Sequence, residues 1–117
     1  MIQIFPAEKR YIQRMGWLDV YSVFSCNNYF DPWNTHFANL IAFNEYVMQP
    51  GFGFNMHPHE DIEQVFLVTE GQLSHADSLG NEGVLSPGGI QSISAGSGYP
   101  RYACNRGDAP CRYLAAW

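Results

Sequence analysis

Turn residues punctuate the second half of this chain too closely for helices to fit between them. Pro50-Gly51 opens it, and from Glu70-Gly71 onward Leu79-Gly80-Asn81, Pro87-Gly88-Gly89 and Gly96-Ser97-Gly98 break it at intervals of about 8–12 residues. The runs between these breaks are short and rich in apolar residues, as strands are. Phe37–Val47 leads into the Pro50-Gly51 turn, and Gln64–Thr69 contains VFLV, a continuous apolar run expected of a strand buried on both faces. Gln72–Ala76 and Glu82–Leu85 flank DSLGN, which reads as a hairpin turn, and Ile90–Ile93 and Arg112–Trp117 complete the set. No amphipathic helix is evident after residue 35, and there is no internal repeat or linker. Many short strands in one compact chain predict an all-β sandwich or small barrel.

The 117 residues suit a single domain spanning 1–117. Hydrophobic residues make up 46% of the chain, enough to build a core and to exclude wholesale disorder. A net charge of -5 with only six scattered Lys and Arg argues against direct nucleic-acid binding. No apolar run approaches the roughly 20 residues needed to cross a bilayer, and Met1–Pro6 passes directly into charged residues rather than a leader. A soluble cytoplasmic protein without a membrane partner is expected. Cys26, Cys104 and Cys111 are sparse and odd in number, so they read as reduced thiols and not as a disulfide framework.

One stretch carries chemistry. In NMHPHEDIEQ, His57 and His59 stand at i and i+2, which in a strand places both imidazoles on one face. Two histidines are fewer than the three or four ligands that metal sites normally use, so further ligands must come from elsewhere. His36 and His75, the other two histidines, read as hydrogen-bonded structural residues.

The wider segment GFGFNMHPHEDIEQVFLVTEG resembles the first motif of cupins: a glycine, H-x-H, a glutamate and a closing glycine. More narrowly, the chain is similar to pirins, including their bacterial quercetinase-like members. GWL (Gly16–Leu18), YFDP (Tyr29–Pro32), Asn44-Glu45, HPHEDIE (His57–Glu63), DSLGN (Asp77–Asn81), PGGIQ (Pro87–Gln91) and SAGSG (Ser94–Gly98) follow in the family's order. The resemblance implies a cupin double-stranded β-helix, a jelly-roll-like barrel with metal and substrate inside. Pirins usually carry two such barrels, and this chain is expected to hold the first alone.

Pirin-like proteins hold iron with the two histidines of the first motif and a histidine and glutamate of a second. In the matching stretch GSGYPRYACN, those second positions are Arg101 and Ala103, while the accompanying Asn105 is in place. Glu63, the glutamate of the first motif, is the candidate replacement, giving a reduced set of His57, His59 and Glu63 that could hold a weakly bound transition metal, iron by family analogy. Arg101 opposes this. Two unit charges about 4 Å apart repel by about 4 kcal/mol at an effective dielectric near 20, before the metal's double charge is counted. A salt bridge from Arg101 to Glu63 across the pocket is the alternative use of both groups. Cys104 is a poor substitute ligand, because on a strand it faces away from Ala103.

The expected cavity wall comprises Phe54, Phe66, Tyr99, His57, His59, Glu63 and Arg101, an apolar lining with a few convergent polar groups. The leading functional reading is a small-molecule-binding protein for an anionic or phenolic ligand, without the usual iron. The alternative is a metal-dependent oxidoreductase like quercetin 2,3-dioxygenase. A third is a protein-interaction co-regulator like the eukaryotic pirins. A lone barrel is expected to cover its exposed face as a homodimer. Trp17, Tyr29, Phe30 and Trp33 are expected to bury surface, and Gly51, Gly53, Gly71, Gly80, Gly96 and Gly98 to supply turns.

Overall fold

The computed structural model describes residues 2–26, 29–57, 62–94 and 101–117, and of residues 55–57 the backbone only. Ten strands follow a short 3-10 turn at Ala7–Lys9: β1 (Tyr11–Arg14), β2 (Leu18–Ser22), β3 (Phe43–Met48), β4 (Gly53–His57), β5 (Glu63–Glu70), β6 (Leu73–Asp77), β7 (Glu82–Leu85), β8 (Ile90–Ser94), β9 (Arg101–Cys104) and β10 (Cys111–Ala116). They form two antiparallel sheets. One has the order β1-β2-β3-β10-β5-β8 and the other β4-β9-β6-β7. Sequence neighbours often lie in different sheets, which is the connectivity of a jelly roll.

Alternation along each strand decides which residues meet between the sheets. Leu18 and Val20 of β2, Tyr46 and Met48 of β3, Phe66 and Val68 of β5, and Cys111, Tyr113 and Ala115 of β10 are buried in one cluster with Leu73, Ile93 and Ala103. Trp17 and Phe54 pack against that cluster. The VFLV run departs from expectation: Val65 is 44% exposed and Leu67 half-buried, so β5 buries one face only. Its apolar outer residues cover the outside of a sheet whose other face is the core.

The β6–β7 hairpin turns at DSLGN as expected. Asp77 Oδ1 accepts hydrogen bonds from the backbone N–H groups of Leu79 (2.8 Å) and Asn81 (3.0 Å), and Gly80 adopts φ 88°. Gly53 is not a turn residue but lies within β4. A β-carbon there would meet Cys104 Cβ and stand 2.6 Å from Ala103 O, so glycine is what lets β4 approach β9. Asn105 is buried and donates to the carbonyls of Met48 (2.9 Å) and Ala109 (2.8 Å), tying the loop after β9 to β3. Two aromatic residues expected to bury surface do not: Trp33 is 95% and Phe30 76% exposed, because the segment before β3 runs over the surface. No helix among the described residues is long and apolar enough to cross a membrane.

Candidate functional site

The inward positions of six strands border a cavity of about 90 Å³ between the sheets. Tyr46 enters from β3, Phe54 from β4, Gln64 and Phe66 from β5, Leu73 from β6, Arg101 and Ala103 from β9 and Tyr113 from β10, with Trp117 at one side. Each pair on a single strand is two residues apart, as the strand period requires.

Arg101 is the cation of this wall and is only 6% exposed. Its guanidinium carbon lies 5.0 Å from the Phe66 ring centroid, and Nη2 donates to Gln91 Oε1 at 3.5 Å. The other end of the Gln91 amide is 3.0 Å from His75 Nδ1. With the amide oxygen turned to the guanidinium, its NH2 donates to Nδ1, so the His75 ring carries its proton on Nε2 and is neutral. Burial, and then the charge of Arg101, hold the His75 pKa below the usual imidazole value, with Asp77 opposing. Arg101, Gln91 and His75 therefore form a relay in which the amide fixes both neighbours.

Gln64 is different. It is 1% exposed, and neither Nε2 nor Oε1 of its amide has a hydrogen-bond partner among the described residues. Buried amides are paired in most folded proteins, so such a group in a cavity wall demands an explanation. Nearby, the Tyr46 hydroxyl accepts from Asn44 Nδ2 at 3.1 Å, and burial raises its pKa to about 12. Burial also raises the pKa of Tyr113 well above the usual phenol value. Both phenols are thus neutral at physiological pH. No carboxylate lies among the described residues that line the cavity.

Of the predicted pocket residues, Phe54, Phe66 and Arg101 line the cavity. Glu63 does not. It is exposed on the outer face of β5, in a groove with Ile62, Val65 and Ala116. The reason is the strand period: Glu63 and Phe66 are three apart and cannot share a face, whereas Gln64 and Phe66 do. The expected Arg101–Glu63 bridge across the pocket is excluded on the same ground. The backbone of His57 lies in β4 directly opposite Arg101, and its side chain is outside the described residues, as are His59 and Tyr99 entirely. His36 is exposed and hydrogen-bonds Thr35 Oγ1 at 2.8 Å through Nδ1. Gln64, Gln91, Tyr46 and Tyr113 escaped the sequence reading.

The sequence matches the Pirin family profile over residues 6–117. The chain belongs to the pirin family. This pirin is 41% identical over 98 residues to a protein of Escherichia coli named quercetin 2,3-dioxygenase, a match covering 84% of this chain and 42% of that one. Among solved structures it resembles YhhW of Escherichia coli, with a TM-score of 0.92 and 35% identity over 96% of this chain and 48% of that one. YhhW has also been solved as a bacterial pirin in complex with nickel(II), matched with a TM-score of 0.88 and 36% identity over 94% of this chain and 48% of that one. A cupin domain of Schizosaccharomyces pombe Cnp3, 13% identical with a TM-score of 0.69 over 96% of this chain and 70% of that one, supports the cupin fold. The pirin chain described here thus spans about half the length of the relatives it matches.

Family membership raises the question of a metal, which the wall itself can answer in part. Opposite the His57 backbone stands a buried guanidinium, and two residues on stands Ala103, whose methyl cannot ligate. The inward residue of β5 is an amide, and the carboxylate of Glu63 points away. The described residues contain no cluster of three or more His, Cys, Asp or Glu that could hold a metal ion. Arg101 and Ala103 thus offer no ligand, while the side chains of His57 and His59 lie outside the described residues.

Proposed function

We propose that this pirin-family cupin binds a small anionic molecule in its cavity and has no resident iron. The observation that carries this reading is Arg101. A guanidinium at 6% exposure places positive charge in a mostly apolar wall. A buried cation favours an anionic occupant, since the pair exchanges charge-assisted hydrogen bonds that water would otherwise weaken. The neutral phenols of Tyr46 and Tyr113 add no negative charge.

Arg101→Met tests it. Sodium acetate should raise the unfolding temperature of the wild type above that in sodium chloride of equal ionic strength, following the mass-action dependence on ligand concentration. The methionine variant should lose that increment. Equal responses in wild type and variant refute the reading.

A second reading, a metal-dependent quercetin dioxygenase, draws support from the name of the 41% identical relative. It requires His57, His59 and Glu63 to hold the metal together, and the outward position of Glu63 weighs against that set. Size weighs against it too: 90 Å³ is far below the roughly 300–1,000 Å³ of pockets that enclose drug-sized molecules such as flavonols. Purified protein that consumes oxygen with quercetin would favour this second reading.

A further inference from the structure

The unpartnered amide of Gln64 narrows the ligand further. Among the described residues, two other side-chain amides beside the cavity wall are engaged, Asn44 through its Nδ2 only. Gln91 is held between Arg101 and His75, and Asn44 donates to Tyr46. Among the described residues Gln64 alone presents both a donor and an acceptor without partners, at 1% exposure, in the same wall as Arg101. A simple carboxylate can accept from Nε2 but offers nothing to Oε1, which would stay buried and unsatisfied. A hydroxyl beside the carboxylate supplies the missing donor: it can donate to Oε1 while a carboxylate oxygen of the same molecule accepts from Nε2.

We infer that the ligand is a small hydroxy acid whose carboxylate pairs with Arg101 and whose hydroxyl engages the Gln64 amide. This rests on the anion reading of the cavity given above. A volume of about 90 Å³ restricts the ligand to a few non-hydrogen atoms, on the scale of glycolate or lactate. The apolar contacts of Phe54, Phe66 and Leu73 suit the short carbon chain and exclude water from the charged end.

Calorimetric titration of the wild type with glycolate, acetate and neutral glycolamide tests the inference, repeated with Gln64→Met. Glycolate should bind the wild type about tenfold more tightly than acetate, the worth of roughly one net hydrogen bond. Glycolamide should bind least, and the methionine variant should treat glycolate and acetate alike. Should the variant fold poorly, nitrogen-edited NMR of the wild-type Gln64 side-chain amide replaces it, and that resonance should move with glycolate. Equal binding of glycolate and acetate overturns the hydroxy-acid inference while leaving the anion reading intact. A preference that persists in the variant, or an amide resonance that stays still, overturns the role of Gln64. No binding of either anion overturns both readings.

Discussion

Replacing Gln64 by methionine should stabilise the ligand-free protein. Gln64 sits on the buried face of β5 with Phe66 and Val68, at 1% exposure, and both polar atoms of its amide lack partners among the described residues. Leaving a buried donor or acceptor unmade costs about 1–3 kcal/mol, and methionine keeps the length of the side chain while removing both. Imperfect refitting of the core returns part of this, under about 1.5 kcal/mol for a volume-conserving change. A net gain of about 1–2 kcal/mol is expected. With a urea m-value of about 2 kcal/mol per molar, the unfolding midpoint should rise by roughly 0.5–1 M with no change in slope. Urea titration of wild type and variant in buffer free of small carboxylates measures it. A midpoint that falls by the equivalent of about 1 kcal/mol or more means the amide is already well bonded, and the account of Gln64 as a waiting partner is wrong.

Glu63→Gln should leave both the acetate response and the stability unchanged, the latter within about 0.5 kcal/mol, because Glu63 is exposed on the outer face; a lost response in the melting assay contradicts its placement. Gly53→Ala should destabilise by about 3 kcal/mol or more, since its new methyl meets the β9 backbone 2.6 Å away; a urea midpoint near that of the wild type refutes the close approach. His75 has a folded pKa below its ordinary value, so as pH falls below about 6.5 the unfolded chain takes up the proton first and stability declines toward the folded pKa. His75→Gln should remove that part of the slope in urea midpoints taken between about pH 8 and pH 5, and parallel curves for the two proteins count against it.

The hairpin at Asp77–Asn81 was legible because Asx and glycine chemistry acts locally, within a few residues. β7 matches its expected span, Glu82–Leu85, and the other expected strands differ mainly at their ends. β1 and β2 were missed although Gly16, at φ 83°, turns the chain between them; a single glycine in a stretch of mixed polar and apolar residues is a weaker mark than the paired turn residues of the later strands. Motif position pointed to Arg101 in the wall, where it lies in the structure, with Ala103, read only as a lost ligand position, beside it. The glutamate was misread for a local reason. Glu63 is the chemically conspicuous residue of HPHEDIEQ, but strand parity and not ligand chemistry chooses what faces inward, and parity selects Gln64. The partners of Gln91 come from β6 and β9, distant in sequence, so only the assembled sheets bring them together.

The metal content of the purified protein tests the central claim most directly. Protein prepared without chelator or affinity metal is assayed by elemental analysis beside an Arg101→His/Ala103→Glu double variant. The account predicts transition metal far below one atom per chain in the wild type and uptake in the variant, where a ligating imidazole and carboxylate replace a cation and a methyl. Near-stoichiometric iron or nickel in the wild type would contradict it.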